Sequence, residues 1–146
     1  MKLAIELVPK TSWGDNLRKR MKPSQWKMIR EKAYADYGFE CGICGAPGRL
    51  ECHEIWEHGD KKHIQSLRGF IALCSLCHMV KHIGHTRILA SQGKLNLESV
   101  VEHAVRVNGC SRQEFEAHLR LAFQTWRGRS QYTCTVDLGE YAKLVS

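Results

Sequence analysis

Leu50-Glu51-Cys52-His53-Glu54-Ile55-Trp56 and, further on, Ala72-Leu73-Cys74-Ser75-Leu76-Cys77-His78-Met79-Val80-Lys81-His82 are the two stretches whose reading decides the fold. The first alternates in a strand-like way. In the second, Ile71-Ala72-Leu73 is a short apolar entry into a cysteine turn. A helix is expected to begin near Ser75 to His78 and to reach about Ile83, with Gly84 as its stop. His78 and His82 stand four apart, so on a helix their imidazoles share one face. A strand bearing His53, packed on a helix fixed at a cysteine turn, can bring His53, Glu54, His78 and His82 together. Three imidazoles and a carboxylate are enough to hold one divalent cation. The alternative is that His78 or His82 replaces a cysteine in the neighbouring site, or that these histidines are surface polar groups.

Working outward, Cys74-x-x-Cys77 has a counterpart in Cys41-x-x-Cys44, flanked by Gly42 and Gly45. Two such doublets match the way a tetrahedral Zn²⁺ is held, because each turn aims two thiolates at one centre. A redox disulfide or buried thiols are the competing readings. The chain has seven cysteines, an odd number, and Lys2-Leu3-Ala4-Ile5-Glu6 is too short an apolar run for a secretory signal. A disulfide framework is therefore not expected, and the expected compartment is cytoplasmic. Cys52, Cys110 and Cys134 are left over as buried free thiols.

The flanks read as follows. Residues 2–8 predict a strand ended by Pro9, and residues 10–22 an irregular basic segment. A helix is expected from Ser24 to about Tyr37, where Gly38 stops it, with Trp26, Ile29, Ala33 and Tyr37 facing inward. His58 to Lys62 suggests an exposed loop. Asn96 or Ser99 caps a helix ending at Asn108-Gly109, and Ser111-x-x-Glu114 is a capping box opening a helix to about Trp126. Tyr132 to Leu138 alternates like a strand and is expected to pair with residues 3–8. Trp13, Trp26, Trp56 and Trp126 are read mostly as core.

With 146 residues, the chain suits a single domain over 1–146. Within it, residues 24–85 are expected to be a zinc-stabilised α+β core and 86–146 a C-terminal extension that carries no catalytic motif. No apolar run approaches a membrane span, so a membrane partner is not expected. The net charge of +7 favours a polyanion. Much of it lies early: Arg18, Lys19, Arg20, Lys22, Lys27 and Arg30 join Lys2, Lys10 and Lys32, opposed only by Glu6, Asp15 and Glu31. Such a cluster supplies phosphate contacts without sequence information, unless it is merely a solvated face.

From about Trp26 to His85 the sequence resembles the HNH endonucleases, on Leu50-Glu51-Cys52-His53 and Leu73-Cys74-Ser75-Leu76-Cys77-His78-Met79-Val80-Lys81-His82. The resemblance implies a ββα-metal fold with a treble-clef-like zinc knuckle, wrapped by N- and C-terminal helices. It implies hydrolysis of a DNA phosphodiester, with double-stranded DNA as partner and products carrying 5′-phosphate and 3′-hydroxyl ends. Structural Zn²⁺ falls to Cys41, Cys44, Cys74 and Cys77. A catalytic Mg²⁺ or Mn²⁺ falls to His53 and His78, with His82 binding metal or steadying the phosphate.

Two motif positions depart from the family. Glu54 stands where the general-base histidine is usual, and Gly69 where Asn or Asp is usual. Glu54 can act as base, or as a ligand with His58 or His63 as base. The alternative function is a catalytically inactive zinc module that binds nucleic acid, and a third is a protein-interaction module.

Overall fold

The computed structural model describes residues 1–12 and 17–145; Trp13 and Asp15 lie outside them. The architecture is α+β, with five α-helices and one three-stranded sheet among the described residues. Its centre is an antiparallel hairpin of β1 (Leu50–Gly59) and β2 (Ile64–Cys74), in register from Leu50 opposite Cys74 to Gly59 opposite Ile64. The register slips once, between Ile55 and Trp56, where Arg68 is the extra residue on β2. Beside it Gly69 has φ 155°, a backbone angle that side chains disfavour. Gly69, where the resemblance leads one to expect Asn or Asp, instead sits at the bend of the hairpin.

Helix α1 (Pro23–Asp36) packs on both strands of the hairpin. It starts two residues ahead of a Ser24 cap, at Lys22, because Pro23 is suited to the first helical position. Helix α2 (Ser75–Lys81) leaves β2 directly, and Cys74 caps it, its sulfur accepting the Cys77 N–H at 3.4 Å. Gly84 does not stop the chain there. The helical path only breaks at His82 and resumes as α3 (Ile83–Ser91), because Ile83 and Thr86 are buried and Thr86 donates its hydroxyl to Met79 O. Helices α4 (Leu97–Asn108) and α5 (Arg112–Arg129) follow, with the Asn96 cap and the Ser111/Glu114 capping box in place.

Three expectations about the sheet are corrected. The hairpin runs through residues 58–59, expected as loop, and on through residues 64–70. Gln65, Arg68 and Gly69 hide its periodicity. Residues 2–8 form no strand: their hydrogen bonds go to helices instead of a neighbouring strand. Leu3 exchanges two with the Asn108 side chain, Ile5 N–H donates to His118 Nε2, and Glu6 N–H to Lys81 O. Finally β3 (Thr135–Asp137) pairs in parallel with Ile64–Ser66 of β2, not with residues 3–8.

One apolar cluster joins Leu3, Ile5, Val80, Ile83, Val100 and Phe115, tying the N-terminal segment to α2, α4 and α5. A second joins Leu17, Met21, Trp26, Leu67 and Leu138. Cys52, Cys110 and Cys134 are half-buried, not enclosed as expected. No helix among the described residues is long and apolar enough to cross a membrane.

Candidate metal centres

The two cysteine turns converge. The Sγ atoms of Cys41, Cys44, Cys74 and Cys77 lie within 4.8 Å of one another, with Cys44 and Cys74 at 3.6 Å. Four thiolates around a tetrahedral ion at ~2.3 Å would stand about 3.8 Å apart, so the donor set fits one metal ion. The turn at Cys41 is locked by Cys41 N–H to Ala46 O and Gly42 N–H to Ala72 O, which stitches it to β2. A Cβ on Gly42 would meet the Tyr37 ring at 2.7 Å and Ile71 at 2.9 Å, so only glycine fits that approach.

The thiols differ electrostatically. Burial works against ionisation of Cys41, but hydrogen bonds from the backbone of Cys44, Cys74 and Ile43 prevail and hold it at about 7. Burial, then the charges of Cys41 and Cys74, push the Cys77 thiol up. Negative charge gathered at one point is what a bound cation relieves. His103 on α4 adds a contact that the sequence did not disclose. Its Nε2 lies 3.2 Å from Cys77 Sγ, while Arg106 approaches Nδ1 at 3.2 Å. A guanidinium can only donate, so Nδ1 accepts and the Nε2–H points at the sulfur.

The second cluster is His53, His78 and His82, with one ring nitrogen of each within 4.8 Å of the others. β1 supplies His53, α2 supplies His78, and His82 sits at the break between α2 and α3. His82 Nε2 and His53 Nδ1 are 3.2 Å apart, a separation that either a shared proton or a shared cation would give. Burial, reinforced by His53 and His78, lowers His82 to about 3, and burial with His53 lowers His78. Both are therefore neutral near pH 7 and able to offer a lone pair.

Glu6 completes this cluster from the N-terminal segment. Its Oε2 is 3.0 Å from His53 Nε2, and its Oε1 accepts from Lys81 Nζ at 2.8 Å. A carboxylate on Nε2 keeps the proton there and leaves the Nδ1 lone pair facing His82, an outer-shell arrangement common behind metal-bound histidines. Burial alone would raise Glu6, but the hydrogen bonds from His53 and Lys81 hold it at about 2. The sequence signal for Glu6 was a charge interrupting Leu3-Ala4-Ile5 and Leu7-Val8.

A cleft of about 280 Å³ opens beside the histidines, lined also by Glu6, Arg18, Trp26, Glu54, Trp56 and His58. Consecutive residues of β1 line it, so it crosses the edge of that strand. Glu54 lies on this cleft but is not among the groups of the histidine cluster, and its Oε2 accepts the Trp56 indole N–H at 3.1 Å. His63 stacks on Tyr132, rings 4.0 Å apart, and does not line the cleft.

Of the basic residues, Arg18, Lys19 and Arg20 form an exposed 3₁₀ turn, and Lys22 precedes α1. Lys27 and Arg30 lie on α1, Lys27 beside Glu31 at 3.8 Å. Arg18 reaches the cleft, its guanidinium 5.8 Å from the Trp26 ring centroid. No family model, curated protein or solved structure matches this chain.

Proposed function

We propose that this chain is an HNH-like, metal-dependent endonuclease acting on DNA, with a ββα-metal core over a structural Zn²⁺ held by Cys41, Cys44, Cys74 and Cys77. The observation that carries this reading is the convergence of His53, His78 and His82 on a hairpin and helix braced by the cysteine site. These three histidines would hold a catalytic Mg²⁺ or Mn²⁺, and that ion, when bound, supplies charge stabilisation for the phosphate and the leaving oxygen.

The protein groups divide the remaining work. Glu54, whose side chain lines the cleft, takes the proton of the attacking water. A carboxylate is a weaker base than imidazole, and the Trp56 N–H fixes the orientation of this one. Arg18 is the cation that lines the cleft and faces the non-bridging phosphate oxygens, a role that neutral His82 does not fill. The basic segment from Arg18 to Arg30 holds the flanking backbone.

The engagement of Glu54 by Trp56 favours a second reading, an inactive zinc module that binds nucleic acid. Supercoiled plasmid, zinc-loaded protein and added Mg²⁺, Mn²⁺ or EDTA separate the two. Metal-dependent nicking that disappears in His53→Ala supports the nuclease. A folded, zinc-bound protein that retains plasmid without cutting it, and that cuts once Glu54→His is introduced, establishes the binding module.

A further inference from the structure

Beside the histidine cleft lies a second, larger cavity of about 550 Å³, within the range of roughly 300–1,000 Å³ typical of small-molecule sites. The two share the extended segment Glu6-Leu7-Val8 and His82 as a common wall. The far wall is aromatic. Phe123 and Trp126 of α5 meet edge to face, centroids 6.2 Å apart, and the Trp126 indole is pinned by its N–H to Val8 O at 2.8 Å. Each ring carries a cation: Lys10 Nζ stands 5.3 Å from the Trp126 centroid, and the Arg87 guanidinium 5.3 Å from that of Phe123. Ile88, which also lines the cavity, is 55% exposed.

We propose that this cavity receives an unpaired nucleobase from the strand whose phosphate lies at the histidine cluster. The inference deepens the nuclease reading and rests on it. The pinned Trp126 ring, with Phe123 edge to face beside it, matches the π-face that every base offers. Lys10 and Arg87 supply positive charge where the flanking phosphates pass, which distinguishes the site from a pocket for a neutral apolar ligand. Contiguity through His82 puts an extruded base and its own phosphate within reach of both sites. Extruding a base from a duplex costs stacking and pairing energy, least where the base is already unpaired. The protein therefore selects DNA with a bulge or a single-stranded junction over perfect duplex. Since both rings belong to α5, this assigns a substrate-selecting role to the C-terminal extension.

The test is fluorescence anisotropy in Ca²⁺, without Mg²⁺ or Mn²⁺, using a labelled duplex of about 20 base pairs with or without one central unpaired adenine. The expected result is about tenfold tighter binding of the bulged duplex. Ile88→Trp, which fills the cavity from an exposed position, and Phe123→Ala should each bring the two affinities within about twofold, leaving that for paired duplex nearly unchanged. Equal affinities in the unaltered protein, or an undiminished preference in Ile88→Trp, overturn the proposal. Metal-dependent plasmid cutting without a bulge preference removes the base pocket alone. A bulge preference that Ile88→Trp abolishes, in a protein that cuts nothing, supports the pocket and removes the nuclease reading alone.

Discussion

The two candidate metal centres share one hairpin and one helix, yet their surroundings are opposite. At the cysteine centre Cys41 and Cys77 are buried, four like donors close on each other, and the outer contact from His103 comes from a packed helix. The histidine centre offers three donors, faces a cleft, and is backed by a carboxylate and a lysine. Four protein donors leave no room for a substrate, whereas three leave coordination positions open. The contrast teaches that helix α2 couples the two centres: Cys74 and Cys77 sit at its start, His78 follows directly and His82 closes it.

The largest expected effect lies on the cysteine side. A structural zinc site contributes about 10–16 kcal/mol in small zinc peptides, comparable to the whole stability of a domain. Cys41→Ser, or strong chelation, should abolish the cooperative melt followed by circular dichroism, whereas His53→Ala should preserve it. If Cys41→Ser melts like the parent, the contrast between the two centres collapses. Next in size is Glu54→Gln, expected to cut the cleavage rate by about 10²–10⁴ while Mn²⁺ binding by calorimetry stays intact. A loss of Mn²⁺ binding would instead make Glu54 a ligand.

Glu6→Gln should weaken Mn²⁺ binding by about 10–100-fold, since the amide no longer stabilises the His53 N–H as a carboxylate does. Unchanged affinity would reduce Glu6 to a partner of Lys81. The smallest effect belongs to His103→Ala, which removes one hydrogen bond to Cys77. Zinc retention against a competing chelator should drop by less than about tenfold, with the histidine centre untouched. A larger drop would show that α4 belongs to the cysteine centre as fully as the turns do.

The sequence exposed those parts of the centres that are local. The cysteine doublets and the His78/His82 spacing are short-range patterns, and the capping residues of α4 and α5 announced their helices. Glu6 and His103 stayed hidden because their partners lie 47 and 26 residues away, and no periodicity marks such a pairing. Leu3 and Ile5 are buried as a strand over residues 2–8 would have them, but an apolar segment does not disclose what supplies its hydrogen bonds. Gly84 misled because a glycine costs a helix only about 1 kcal/mol, less than burying Ile83 returns.

The hydrogen bonds of Leu3 to Asn108 and of Ile5 to His118 span 105 and 113 residues. They moor the segment that carries Glu6, so the chain must be made as far as His118 before both bonds can close. During synthesis the hairpin, the cysteine turns and all three histidines are made before Asn108 and His118. At about 5–20 residues per second, they wait seconds for their N-terminal partner to be fastened. Contacts of such sequence separation also slow folding itself. The histidine cluster thus gains its Glu6 neighbour only once α4 and the first turns of α5 exist.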